Sequence, residues 1–288
     1  MFIYIKQILH LCRIKQYIKN GFIFLPIIFA TKALYLEKLA ELGLSFIAFS
    51  LVTSAVYIFN DLIDLKKDQL HPVKKKRPLA SGQLSKRSAS FMALCLLVLG
   101  FWLGSCIHVV FIYITCIYVV INLLYTLRLK HFAMIDLLLV SFGFVLRVIL
   151  GGSIAQVLLS EWIILMTFLL AFFLITSKRY IELSSFNSTE QKNIRPSLTK
   201  YNPKFLIICM SISATLVIMG YLMYTLQAAV SPYFYASSLF VIWGIFRYLQ
   251  LIFLVTDCED PSTILNKDYV LQSIILLWFI TIILFLYF

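Results

Sequence analysis

"LGLSFIAFSLVTSAVYIFNDLIDLKKDQLHPVKKKRPLASG" (residues 42–82) passes from an uncharged apolar run straight into acids and then into cations. Residues 42–59 hold no charged side chain. At a rise of about 1.5 Å per residue such a run is long enough to cross the hydrocarbon core of a bilayer as a helix. It does not alternate apolar with polar residues, which argues against a membrane strand. The polar residues that follow are ordered rather than scattered. Asn60, Asp61, Asp64 and Asp68 fall within an arc of roughly 100° when placed on a helix. The cations Lys74 to Arg77 come next, bracketed by Pro72 and Pro78 and followed by Ser81-Gly82, a composition that predicts a shaped loop.

The rest of the chain repeats the first part of this pattern. Of its 288 residues 61% are hydrophobic and only 13% charged, with a mean hydropathy of +0.94. Soluble domains of this length are far richer in charge. Nine apolar spans are predicted, at about 21–36, 42–59, 88–106, 108–127, 133–154, 161–178, 205–226, 233–254 and 270–288. The expected fold class is an all-α integral membrane protein, with residues 1–288 as a single transmembrane catalytic domain. Only Gly104-Ser105 and His108 mark a turn between the third and fourth spans. Pro26 in the first span is a kink that membrane helices tolerate. Residues 1–20 mix cations with apolar residues at helical spacing and have no small-residue cleavage site, so an interfacial amphipathic helix is expected rather than a signal peptide.

Charge sets the orientation. A net charge of +12 in such a chain points to basic loops facing anionic headgroups, not to nucleic acid. With the N-terminus in the cytoplasm, the loops after even-numbered spans carry nearly all the cations, and the opposite loops hold only Lys32 and Lys38. The active face is therefore expected at the cytoplasmic side of a cell inner (plasma) membrane, in two loops, 60–87 and 178–204. The six cysteines form no CxxC pair, so neither a zinc site nor a disulfide framework is expected.

Two readings compete for the acids. They are either a solvated helix end balanced by Lys66 and Lys67, or a Mg²⁺ site. Three carboxylates on one face repel one another unless a cation lies among them, and Mg²⁺ takes hard oxygen ligands while bridging to a substrate phosphate. Arg147, inside the fifth span, is the clearest mid-membrane charge; such groups face a cavity or a partner.

NDxxDxxxD at the end of the second span, followed by HPxKxxRPLxxG, resembles the UbiA-type intramembrane prenyltransferase superfamily. Tyr125, Lys130 and Asp136 resemble a pattern of the same superfamily. The resemblance implies nine helices around a lipid-open cavity, with two Asp-rich motifs holding Mg²⁺ and a prenyl diphosphate. The second motif departs from this: after span six the chain has SKRYIELSSF, with one acid, Glu182, beside Lys178 and Arg179. That departure is similar to the polyprenyl (decaprenyl)-phosphate phosphoribosyltransferase branch. RIKQYIKN (13–20), FVLRVILGG (144–152) and the stretch from Arg247-Tyr248 through Glu259-Asp260-Pro261 to Asp268 also resemble it.

What the resemblance implies is Mg²⁺-dependent transfer of 5-phosphoribose from 5-phosphoribosyl 1-diphosphate to a polyprenyl phosphate, releasing diphosphate. Asp61, Asp64 and Asp68 then hold the metal, and Asp61, Asp64, Lys178 and Arg179 form the catalytic set. Asn60 orients a ligand or the ribose. Lys15 and Lys19 grip the acceptor phosphate, or merely anchor the first helix. Glu182 bonds a ribose hydroxyl or steers Lys178. Lys130 and Arg147 line the site, with Asp136 as partner of one or the other. The alternatives are a prenyltransferase acting on an aromatic acceptor, which predicts a second carboxylate cluster, and a lipid-phosphate transporter, which has no need of three acids on one helix face.

Overall fold

The uncharged run that ends in acids is one of the two most buried helices of its compact unit. In the computed structural model, which describes residues 2–30, 36–70, 74–185, 197–228, 233–254, 264 and 267–287, it forms α3, Leu36–Ile63. α1 is Phe2–Leu11 and α2 Leu25–Phe29; after α3 come α4, Leu65–Leu70, α5, Lys86–Ile107, α6, Val109–Leu127, and α7, Ile135–Ala155. α8 is Glu161–Ser185, α9 Pro203–Gln227, α10 Ser238–Leu254 and α11 Tyr269–Tyr287. Among the described residues eight helices are long and apolar enough to cross a membrane, and they match the second to ninth expected spans. The chain is a multi-pass membrane protein of the all-α class.

The first expected span, 21–36, is built differently. A 3-10 helix runs over Ile14–Phe24 and α2 continues it; residues 31–35 lie outside the described set. This run lies antiparallel to α3, with Tyr17 on Ser54, Asn20 on Ser50 and Phe24 on Phe46. A 3-10 helix rises about 2.0 Å per residue, so these eleven residues cover about 22 Å. The run thus reaches further than the same residues would as an α-helix. The expected interfacial helix over 1–20 is likewise shorter: α1 stops at Leu11 because Arg13 turns the chain in the left-handed region, at φ 54°.

The chain divides into two compact units. In the first, α1 to α7 with Ser197, the inner helices are α3 and α7; 61% of the apolar window of each is buried, against 11% for α5. α5 accordingly shows Phe91, Val98 and Trp102 outward, a face suited to lipid rather than water. Gly100 lets α5 close on α3, since a Cβ there would lie 2.8 Å from the Ala48 carbonyl oxygen. The turn between α5 and α6 falls at His108, whose Nδ1 accepts from the Val110 amide at 3.1 Å and caps α6. The second unit contains α8 to α11. Phe173, Met210, Val217, Ile245 and Tyr248 form its core. Asn202 caps α9, with Pro203 at its first position.

Candidate active site

The helix of α3 does not stop where the acids begin. Asn60 and Asp61 lie in its last turn, and the helical bonding continues through Asp64 N–H to Asn60 O and Asp68 N–H to Asp64 O, both 2.9 Å. The expected loop 60–87 is thus helical over its first part, up to Leu70. The physical reason is the one-face spacing itself: these polar residues are the end of an amphipathic helix, not a linker. The later part is a shaped loop, as its prolines predict. A 3-10 turn over Lys74–Lys76 leads to Pro78, with Gly82 at φ 75°. Leu79 and Leu84 pin this loop against Leu11, Ile58, Leu65 and Ala89.

Each carboxylate faces a cation. Asp61, 4% exposed, accepts from Arg13 and from Arg77, the latter at 2.8 Å. Arg77 also donates to Asp68 at 2.6 Å. Lys130 spans both oxygens of Asp64, at 2.6 and 2.7 Å. Arg13 lies over the Tyr57 ring, 4.9 Å from its centroid. Burial pushes the Asp68 carboxyl above its usual range, while Arg77 and Lys74 pull it back. Of the cations that meet these acids, Arg13 was not singled out by sequence reasoning, and Arg77 was read only as one of the run Lys74 to Arg77, a membrane anchor or in part phosphate-binding. Their signals were present, as the first residue of RIKQYIKN and the arginine of HPxKxxRPL, but nothing local tells which cation meets which acid.

Among the described residues no three metal-ligating side chains converge on one point. The donor set nevertheless suits a hard divalent ion. It is all oxygen, and Asn60 Oδ1 is a buried acceptor with no hydrogen-bond partner among the described residues.

Deeper along α3 lies a second polar layer. Arg147, 4% exposed, donates from Nε to Asn20 Oδ1 at 2.9 Å, to the Gly143 carbonyl at 2.7 Å and to the Tyr118 hydroxyl at 3.2 Å. Its guanidinium also lies over the rings of Phe49, Tyr118 and Phe144. Asn20 donates in turn to Ser50 at 2.9 Å and Thr53 at 3.3 Å. Asp136, one expected partner of Arg147 or Lys130, is buried in the first turn of α7 and accepts from Ser197 at 3.4 Å. Lys15 is exposed, on the same side of the 3-10 run as Ile18; Lys19 is half-buried.

In the second unit Lys178, Arg179 and Glu182 lie on α8, which runs to Ser185, so the expected loop 178–204 also begins as helix. Residues 186–196 lie outside the described set. Arg179, 3% exposed, donates to Glu182 at 2.8 Å. Ser177 shares a hydrogen bond with Tyr248 at 2.9 Å. Arg247 forks onto Asp268, at 3.3 and 2.6 Å, and Asp268 caps α11 by accepting from the Leu271 amide. Glu259 and Asp260 fall outside the described residues.

A multi-pass helical membrane protein with acids and basic counter-groups at one helix end is the class that the fold and site define, and the family comparison makes it a transferase. The profile of the UbiA prenyltransferase family matches residues 21–267, and the chain belongs to that family. The decaprenyl-phosphate phosphoribosyltransferase of Mycolicibacterium smegmatis is 31% identical over 268 residues, covering 86% of this chain and 81% of the relative. The enzyme of the same name from Corynebacterium glutamicum is 30% identical over 284 residues, covering 96% and 85%. The resemblance to that branch is borne out. A UbiA homologue from Archaeoglobus fulgidus, solved bound to GPP and Mg²⁺, shares the fold with a TM-score of 0.72 at 18% identity, over 96% of this chain and 99% of that one.

Proposed function

We propose that this protein transfers 5-phosphoribose from 5-phosphoribosyl 1-diphosphate to a polyprenyl phosphate and releases diphosphate. The observation that carries the reading is the asymmetry of the two polar helix ends. The first has three acids on one helical stretch, while SKRYIEL has one acid, already turned onto Arg179. A prenyl donor handled by two carboxylate clusters does not suit this arrangement; a donor with more phosphate charge does. The relatives' shared name supports the same reading.

A lipid phosphate oxygen attacks the anomeric carbon as the bond to the diphosphate breaks, with inversion at that carbon. No strong general base is required, because a phosphate monoester is largely ionised near neutral pH. The protein's task is to bring two anions together and to stabilise the leaving group. Asp61, Asp64 and Asp68, with Asn60, would hold Mg²⁺, which supplies charge neutralisation to the departing diphosphate. Lys178 and Arg179 supply the positive charge that this donor needs beyond a prenyl donor, and Glu182 keeps Arg179 in place. Lys15 and Lys19 are assigned to the acceptor phosphate. Lys130 is assigned to the donor side through Asp64. Arg147 lies well below the acids and braces the floor on which Asn20 sits. The positive loops support the reading that this face lies on the cytoplasmic side of the inner membrane, where a soluble sugar phosphate is available.

The test is turnover in membranes with labelled 5-phosphoribosyl 1-diphosphate, a defined polyprenyl phosphate and Mg²⁺, with the product mass measured. A lipid product heavier by one phosphoribosyl group is expected. Consumption of prenyl diphosphate alone overturns the reading.

A further inference from the structure

One of the cations at the acids bridges two of them. Nη1 of Arg77 lies 2.8 Å from Asp61 Oδ1 and 2.6 Å from Asp68 Oδ2. A single nitrogen thus bridges two carboxylates, one on α3 and one on α4. Mg²⁺ bridges oxygens in the same manner, at about 2.0–2.1 Å. The guanidinium and a divalent ion cannot share that position, because like charges at such separations repel strongly. Two further cations hold these acids. Arg13 holds the same Asp61 oxygen, and Lys130 holds both oxygens of Asp64.

We propose that Arg77 is a resident counter-ion in the divalent-cation position between Asp61 and Asp68, and that it leaves only when a diphosphate arrives to take its guanidinium. Metal and diphosphate then bind as a unit, and metal alone binds poorly. This rests on the reading that the acids hold Mg²⁺ against a diphosphate. The physical basis is partner exchange. Arg77 is only 26% exposed, so moving it off two carboxylates with no new anion strands a largely buried charge. A diphosphate offers paired oxygens that match the guanidinium fork. Arg77 then keeps its charge-assisted hydrogen bonds while the carboxylates turn to the metal. Asn60 Oδ1, which has no partner among the described residues, gains one in the same step. Such coupling is reciprocal: whatever factor diphosphate adds to metal affinity, metal adds to diphosphate affinity.

The experiment uses the full chain in lipid nanodiscs and Mn²⁺ as a paramagnetic probe. Titrations are run without and with methylenediphosphonate, corrected for the complex those two form in solution. In the unsubstituted protein the diphosphonate should raise Mn²⁺ affinity by about tenfold or more. Arg77→Gln should bind Mn²⁺ alone about ten- to a hundredfold more tightly, and the gain from diphosphonate should shrink correspondingly. Arg77→Lys, which keeps the charge without the fork, should fall between. Unchanged or weaker Mn²⁺ binding in Arg77→Gln overturns the counter-ion role. If Asp61→Asn still abolishes the diphosphonate-dependent binding in that case, the metal–diphosphate reading stands by itself. If Asp61→Asn has no effect on Mn²⁺ binding, both fall. Should Arg77→Gln fail to fold, the unsubstituted protein decides alone: no gain from diphosphonate overturns the proposal.

Discussion

Arg147 makes no ion pair among the described residues, although it sits in the interior of α7. Its charge is spread instead over an amide oxygen, a carbonyl, a phenol and three aromatic faces, which is how a desolvated guanidinium is satisfied without a carboxylate. Replacing it by Met leaves Asn20 Oδ1 and the Tyr118 hydroxyl without their donor. A loss of about 1–3 kcal/mol for each buried neutral acceptor left unsatisfied is expected. Thermal unfolding in detergent checks this. In a double-mutant cycle Asn20→Ala with Arg147→Met should be sub-additive by about 0.5–3 kcal/mol; additive effects would mean the two side chains act separately. At this scale the acids were legible, since helical spacing alone put Asn60, Asp61, Asp64 and Asp68 on one face. Their partners were not. Arg13 is 48 positions from Asp61 and Lys130 is 66 from Asp64, and no local rule links them.

At the scale of elements, the 3-10 run Ile14–Phe24 depends on how closely α7 approaches it. A Cβ on Gly151 would lie 1.9 Å from the Ile23 carbonyl oxygen, whereas one on Gly21 meets nothing within 4 Å. Gly151→Ala should therefore destabilise the protein by about 1–3 kcal/mol through overpacking. It should also lower turnover, because Arg13 directly precedes the displaced run. Gly21→Ala should be nearly silent in both measurements. Equal effects would show that the contact between α7 and the run is unimportant. The apolar character of this passage was legible in the sequence; its 3-10 winding was not, because that choice is made by the neighbours on α3 and α7. In the second unit Asp268 both caps α11 and accepts the Arg247 fork. The hydrogen bond from Arg247 holds its carboxyl below the ordinary 3.8, helped by the Leu271 amide and opposed by burial. A depressed folded value means the stabilisation is complete above the ordinary carboxylate range and is lost as pH falls through the lower folded value. Asp268→Asn should lower thermal stability near neutral pH, with loss of a charged cap contributing about 1 kcal/mol. The difference from the unsubstituted protein should persist above the ordinary carboxylate range and shrink as the pH falls below 3.8 in the same melting experiment.

For the whole molecule, sidedness is the testable consequence of the charge pattern. Cysteines placed at Lys75 and Lys200 in a cysteine-free background should react with an impermeant maleimide from one face of sealed vesicles. A cysteine at Leu158, which is 99% exposed, should react from the other. Labelling of Lys75 and Lys200 from opposite faces would break the alternation that the basic loops imply. The eight membrane-length helices and the acid-bearing helix end were legible in the sequence by itself, because hydropathy and the 3.6-residue period act over a few neighbouring positions. The tertiary structure decided which cation neutralises each carboxylate, how the first passage is wound and what holds Arg147, whose partner Asn20 is 127 positions away. Those pairings are made by packing between distant segments, where each buried charge takes whichever complementary group the fold brings within reach.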